Sequence, residues 1–116
     1  MLTRQAFAFL APGLLESVYE RVLAYELERR GCFVQTQVGM PIIYEEMVFE
    51  EGFRADLIAG RRVIVEIKSV EHLLPVHSKQ LLTYLRISGL RVGLLVNFGE
   101  ALMKTGIHRI INNRAG

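Results

Sequence analysis

Two segments of the chain carry the apolar spacing and the end signals of α-helices. Between residues 14 and 27, apolar side chains recur every three or four positions, and charged side chains fill much of the remaining helical wheel. Pro12 and Gly13 precede this segment and Gly31 follows it, as proline and glycine commonly do at helix ends. A second helix is predicted over residues 75–88, beginning at a proline and ending before Gly89.

Extended segments are predicted between and after these helices. Residues 33–38 and 41–44 are expected to form two extended pieces, and four glutamates with Gly52 surround the next turn. Residues 53–59 and 63–68 alternate apolar and polar side chains and are separated by a turn at residues 60–62. Residues 91–97 are rich in Val and Leu, as in a strand covered on both faces. Residues 107–111 predict a short last strand.

This order of elements predicts an α/β fold in which helices flank a central mixed β-sheet, in the order α-β-β-β-α-β before the last short strand. A length of 116 residues is that of a single domain, which we assign to residues 1–116. A hydrophobic fraction of 51% excludes a disordered chain. Cys32 is the sole cysteine, which excludes an internal disulfide.

No apolar run approaches the roughly 20 residues that a membrane helix needs. Residues 6–11 are apolar, but the segment is short and ends at Pro12 and Gly13, so we interpret it as the entry to the fold and not as a signal peptide. We therefore expect a cytoplasmic protein without a membrane partner.

The charge is distributed unevenly. Residues 1–60 carry 5 Lys or Arg against 9 acidic residues, whereas residues 61–116 carry 9 against 3. A basic half suits a phosphate-bearing partner, although such an excess is also common on ordinary soluble domains. Asp56 is the sole aspartate among the 12 acidic residues, which makes its surroundings informative.

The hydrophobic pattern sets the register of the hairpin that contains Asp56. With a three-residue loop at 60–62, Ala59 pairs with Val63 and Asp56 lies opposite Glu66; a two-residue loop would turn every side chain to the other face. The three-residue loop brings four apolar side chains onto one buried face (Ala55, Leu57, Val65 and Ile67). We therefore predict this register.

Opposed carboxylates at Asp56 and Glu66 need a compensating charge. Side chains directly opposite on paired strands have Cβ atoms roughly 5 Å apart. At an effective dielectric of about 20, their repulsion is on the order of 3 kcal/mol. Lys68, on the same face as Glu66, can neutralise one charge, and a divalent cation such as Mg²⁺ could neutralise more.

An exposed salt-bridge cluster without function is the simpler interpretation of these three residues, because such clusters are common and contribute little. Ile58 and Ile64 share the polar face with them, however, which indicates that this face is covered. A charge cluster removed from water is a candidate functional site.

The residues around this hairpin resemble a known nuclease signature. Asp56 followed by the segment 66–68 (Glu-Ile-Lys) at the ends of adjacent strands is similar to the PD-(D/E)XK motif. Gly13, Glu16 and Tyr19 are spaced as in the Gly-x-x-Glu-x-x-Tyr element of the GxxExxY family of small nuclease-like proteins. Segments 53–57, 64–68, 76–85 and 92–98 also resemble that family, so the resemblance covers residues 12–111. The superfamily's proline before the aspartate is replaced here by Ala55.

The resemblance implies a restriction-endonuclease-like core and a metal-dependent site. Asp56 and Glu66 would bind one or two Mg²⁺ or Mn²⁺ ions, with the carbonyl of Ile67 as a further ligand. Glu16 would approach from the first helix, directly or through water. Lys68 would hold or polarise the attacking water and help to stabilise the charge that develops at phosphorus.

Three residues of the second predicted helix are further candidates for the site. Gln80 and Tyr84 match the Gln-x-x-x-Tyr element of RecB-type nucleases and would line the site, and His77 lies on the same side of the helix, within reach of phosphate or water. Two of them have a structural alternative: Tyr84 as a core residue and His77 as a structural histidine. Glu16 likewise could be a capping-box residue at the third helical position.

The resemblance implies phosphodiester hydrolysis of DNA by in-line attack of a metal-activated water. The competing hypothesis is a binding or regulatory module for nucleic acid or protein that retains the nuclease fold without cleaving. A chain of 116 residues has little beyond the core to hold a duplex, which favours a homodimer or a protein partner. Cleavage that is lost when Asp56 or Lys68 is removed would distinguish the enzyme from the module.

Overall fold

Seven elements follow the predicted order along the chain. The computed structural model describes residues 14–100 and 106–113. Helix α1 (Glu16–Arg29) is followed by strands β1 (Val34–Tyr44), β2 (Met47–Ala59) and β3 (Val63–Lys68). Helix α2 (Pro75–Ser88) then leads to strands β4 (Val92–Asn97) and β5 (Ile107–Ile111). The predicted α/β class is confirmed.

The five strands form one mixed sheet in the order β1-β2-β3-β4-β5. The pairs β1–β2, β2–β3 and β4–β5 are antiparallel, whereas β3 and β4 run parallel. The parallel pair follows from α2, because a helix between two strands returns the chain to the edge at which the first strand began. As a result, β3 and β4 end side by side.

The helix ends have the chemistry that their sequences indicate. Helix α1 is followed by Gly31 with a φ of 82°, and α2 ends at Gly89 with a φ of 76°, both left-handed values that glycine adopts without strain. Pro12 and Gly13, predicted to open α1, lie outside the described residues. No helix in the described part of the chain combines the length and the apolarity needed to cross a bilayer.

The core has two layers, one on each face of the sheet. Helix α1 packs on the first face through a cluster of eight buried residues: Tyr19, Leu23, Ala24, Leu57, Val65, Ile67, Val96 and Phe98. Helix α2 packs on the other face through seven: Phe53, Ala55, Ile58, Ile64, Leu81, Leu85 and Leu95. Because β3 and β4 contribute to both layers, both strands are buried on both sides, as predicted for the Val- and Leu-rich residues 91–97.

The hairpin β1–β2 is longer than the sequence indicated. Residues 34–44 form a single strand whose register shifts between Met40 and Ile42, and the turn is confined to residues 45–46. The prediction that the next strand begins at residue 53 is therefore wrong, since β2 already begins at Met47. Gly52 lies inside this strand, at a position where a Cβ would overlap the side chain of Ile42, so the close approach of these residues requires glycine.

Candidate active site

The predicted register of the β2–β3 hairpin is confirmed. Ala59 pairs with Val63 and Leu57 with Val65, around the three-residue turn at 60–62. The ladder ends at Leu57 and Val65, one position before Asp56 and Glu66. The two acidic residues therefore lie where the strands cease to pair.

The carboxylates of Asp56 and Glu66 accept hydrogen bonds from two backbone N–H groups at the point where the β2–β3 ladder ends. The N–H of Ile67 donates to Oδ2 of Asp56 at 2.8 Å, and the N–H of Asp56 donates to Oε1 of Glu66 at 3.4 Å. Buried N–H groups need an acceptor, so these bonds hold both side chains between the strands. The pair is thus positioned by the fold and not by chance contact at the surface.

The regular alternation of side chains along β2 is broken at Asp56. Ala55 is buried in the layer beneath α2, whereas Leu57 is buried in the layer beneath α1. The prediction that these two residues share one face is therefore wrong. Beside them on β1, Gln37 has a φ of 50°, a left-handed value that is strained for a residue with a Cβ. This irregularity breaks the strict alternation on which the sequence analysis relied.

Glu66 is buried and its charge is strongly disfavoured. Its exposed fraction is 6%, which excludes the alternative of an exposed salt-bridge cluster. Burial, followed by the negative charge of Asp56 and a hydrogen bond with that side chain, raises the pKa of Glu66 to about 8. At neutral pH the carboxyl group of Glu66 is therefore mostly protonated in the protein without metal.

Lys68 offsets part of this charge. It is the half-buried last residue of β3, and its positive charge acts to lower the pKa of Glu66. The burial and the charge of Asp56 outweigh that effect, because the pKa of Glu66 still lies well above its usual value of 4.5. One ammonium group is therefore too little to stabilise two adjacent carboxylates in this setting.

Helix α2 brings Tyr84 and Gln80 toward the acidic pair. The ring of Tyr84 stacks on Phe53 at 4.1 Å between centroids, which anchors it in the layer beneath α2. Burial raises the pKa of Tyr84, the charges of Glu66 and Asp56 raise it further, and a hydrogen bond with Gln80 acts in the opposite direction. Both residues are thus near the acids, while their contact with substrate stays a prediction.

Glu20, on α1, lies near the site and was not predicted from the sequence. It is half-buried on α1; burial raises the pKa of its carboxyl, a hydrogen bond from Nε2 of Gln37 at 2.9 Å lowers it, and the charge of Asp56 raises it. Glu20 follows Glu16 by one helical turn and so shares its side of α1. That spacing is the signal that could have revealed it.

Glu16 is exposed and is the first residue of α1. The N-cap is Leu15 and no side chain caps this end, so the alternative of a capping-box glutamate at the third position is wrong. A contribution of Glu16 to metal binding stays a prediction.

His77 has a structural bond at the start of α2. Its Nδ1 accepts the N–H of Leu74 at 3.0 Å and so satisfies a backbone donor at the helix end. This bond assigns the ring proton to Nε2, which leaves that nitrogen as a donor. The predicted contact of His77 with substrate is compatible with this bond and stays a prediction.

Asn97, which the sequence did not indicate, holds the chain just beyond Lys68 through hydrogen bonds. Its buried side chain pairs with the backbone of Val70, accepting from N–H at 3.0 Å and donating to the carbonyl at 2.8 Å. Its Oδ1 also accepts the N–H of Gly99 at 3.0 Å. Because Asn97 pairs with Lys68 in the β3–β4 ladder, these bonds fix the exit of β3 next to the candidate site.

Replacing Asn97 with alanine is expected to lower the free energy of unfolding by about 2–4 kcal/mol, because buried backbone groups lose their partners. Urea denaturation would measure this loss. Asn113→Ala is the matched control, since Asn113 is exposed, and it is expected to cost less than about 0.5 kcal/mol. Equal effects of the two substitutions would contradict the role given to Asn97.

The donor chemistry of the acidic pair fits a hard divalent cation. Among residues 14–100 and 106–113, no three His, Cys, Asp or Glu side chains form a ready-made metal cluster, so the metal donors brought together are the two carboxylates. Carboxylate oxygens are preferred ligands of Mg²⁺. A cation would also relieve the repulsion that raises the pKa of Glu66.

A surface cleft of about 590 Å³ lies between α1 and β1, and Glu20 lines it. Arg21, Tyr25, Arg29 and Thr36 are among its other lining residues. Glu20 also lies close enough to Asp56 for that charge to raise its pKa, although neither Asp56 nor Glu66 lines the cleft.

Within residues 14–100 and 106–113, the architecture is a mixed five-stranded sheet with one helix on each face, as in a restriction-endonuclease-like fold. The family model described as the PD-(D/E)XK nuclease superfamily matches residues 3–110. The chain therefore belongs to that superfamily. No curated protein and no solved structure shows significant similarity to it.

Proposed function

We propose that the protein is a metal-dependent nuclease that hydrolyses phosphodiester bonds in DNA, and that within the superfamily it belongs to the GxxExxY family. The observation that carries the proposal is the pairing of Asp56 with buried Glu66 at the point where β2 and β3 separate, with Lys68 two residues farther along β3. A structural ion pair would not require two adjacent acids, one of them with a pKa raised to about 8.

Asp56 and Glu66 would hold Mg²⁺ or Mn²⁺, with the carbonyl of Ile67 and the carboxylate of Glu16 as further ligands. The bound ion would supply Lewis-acid catalysis and make a water molecule more acidic. The local bonds support this assignment, because the N–H of Ile67 fixes one oxygen of Asp56 and leaves the other for a ligand.

Lys68 would orient the attacking water through its ammonium group and stabilise the negative charge that develops on the phosphate oxygens. Gln80, Tyr84 and the Nε2 of His77 would contact the substrate from α2. The proposed partner is DNA, because positions 61–116 carry 9 Lys or Arg against 3 acidic residues and this positive charge favours a phosphate backbone. The proposed location is the cytoplasm.

A cleavage assay with Asp56→Asn tests the proposal. The wild type is expected to cleave DNA in the presence of Mg²⁺ or Mn²⁺, and this cleavage is expected to stop when the metal is chelated. Asparagine keeps an oxygen that accepts the N–H of Ile67, so the variant is expected to fold while cleavage falls by at least about 100-fold.

Glu28→Gln serves as the control, because Glu28 is an exposed carboxylate on α1, and it is expected to cleave like the wild type. The nuclease proposal is wrong if purified protein binds DNA equally well with and without metal, cleaves none, and loses nothing on Asp56→Asn. That result would favour the non-catalytic binding module.

A further inference from the structure

The tip of the β1–β2 hairpin exposes an unusual concentration of large apolar side chains. We call residues 41–51 the arm. Five of its side chains are more than half exposed: Ile43, Tyr44, Met47, Val48 and Phe49. The strand register places Tyr44, Met47 and Phe49 on one face of the hairpin and Ile43 and Val48 on the other. The larger face alone offers on the order of 400 Å², which is within the range of the largest apolar patch of a typical monomer and indicates an interaction surface.

The arm is also acidic. Glu45, Glu46, Glu50 and Glu51 lie in it, and residues 41–52 contain no Lys or Arg. Arg54 at its base pairs with Glu51, which leaves the other three carboxylates toward the tip. This charge disfavours nucleic acid as the partner, and two arms brought together would repel each other. The chemistry that fits the arm is an apolar surface with basic groups around it.

Helix α2 presents such a surface on its outer side. Val76, Lys79, Thr83, Arg86 and Ile87 share one exposed face by helical spacing. Val76 is 58% and Ile87 39% exposed, and the helix contains no acidic residue that would weaken the positive charge of Lys79 and Arg86. The exposed apolar residues at the start of α1 have Glu16 beside them and so do not complement the arm.

We propose that the arm of one chain docks on the outer face of α2 in a second copy of this chain. Two equivalent contacts related by a twofold axis would satisfy both surfaces of each chain and leave neither exposed. The arm and the helix face together offer each chain an area comparable to the about 800 Å² per partner of a stable interface. The proposal does not depend on nuclease activity.

Charge reversal tests the contact without removing apolar side chains. The arm variant carries Glu46→Lys and Glu50→Lys, and the helix variant carries Lys79→Glu and Arg86→Glu; all four positions are exposed. Each variant alone places like charges in both contacts, which is expected to raise the dimer dissociation constant at least about 100-fold. Sedimentation velocity over a concentration series measures it, with circular dichroism to verify folding.

Mixing the two variants supplies the decisive comparison. In a mixed dimer the basic arm meets the acidic helix and the acidic arm meets the basic helix, so a heterodimer is expected although neither variant dimerises alone. A chain that carries all four changes is expected to dimerise again. A monomeric wild type, a dimer that survives either reversal, or a helix variant that loses only DNA binding would each overturn the proposal.

Discussion

Lys68→Ala is expected to reduce DNA cleavage by about 10²–10³-fold while Mn²⁺ binding is retained or becomes tighter. Lys68 supplies the positive charge near Glu66, and its removal leaves the two carboxylates with more negative charge to attract a cation. The loss should therefore appear in kcat and not in metal affinity. Single-turnover cleavage at saturating metal and calorimetric titration with Mn²⁺ measure the two quantities separately.

Arg62→Ala is the control for this experiment, because Arg62 is an exposed basic residue in the β2–β3 turn. It is expected to leave cleavage and Mn²⁺ affinity close to those of the wild type. If Lys68→Ala instead loses metal binding in parallel with activity, Lys68 serves to hold the strand ends together and has no direct part in the chemistry.

The metal-free protein is expected to lose stability as the pH rises from about 5 to 9. Glu66 holds its proton in the folded state to a pKa of about 8, whereas in the unfolded chain it releases it near 4.5. Between these values the folded state binds more protons than the unfolded state, so a rise in pH favours unfolding. The total loss is on the order of 3–5 kcal/mol, measured as the free energy of unfolding in urea at each pH.

Glu66→Gln is expected to remove most of this pH dependence and to be more stable than the wild type at pH values above 8, because glutamine carries no charge beside Asp56. Excess Mg²⁺ should stabilise the wild type mainly at high pH and the variant much less. Glu28→Gln, an exposed change on α1, is the matched control and should keep the wild-type profile. A wild-type stability that is constant from pH 5 to 9 would contradict a raised pKa of Glu66 in the folded state.

Local rules were sufficient for both helices, for the order of the elements and for the register of the central hairpin. The apolar spacing of α1 and of residues 63–68 is periodic, and Gly31 and Gly89 stop helices in any fold because of their backbone freedom. The three-residue turn followed from the hydrophobic pattern, since a slip of one residue exposes every buried side chain. The superfamily was also accessible, because its residues are recognised by type and order.

The irregular parts of the site depended on packing between elements distant in sequence. Leu57 and Ala55 lie on different faces because β2 meets the strained backbone of Gln37 on one side and the end of the β3 ladder on the other. A pattern of alternating residues assumes a regular strand and gives no sign of this change. The two pieces predicted for residues 33–38 and 41–44 form one strand, β1, because both pair with β2 on either side of the register shift.

The sequence by itself therefore determined the class of fold, the pairing of Asp56 with Glu66 and the chemical types at the site, because these depend on residue identity and local periodicity. Only the tertiary structure decided that Glu66 is buried, that Glu20 feels the charge of Asp56 and that Asn97 fastens the end of β3. Burial and charge interactions depend on distances across the folded chain, and those distances are set by both helices and the whole sheet together.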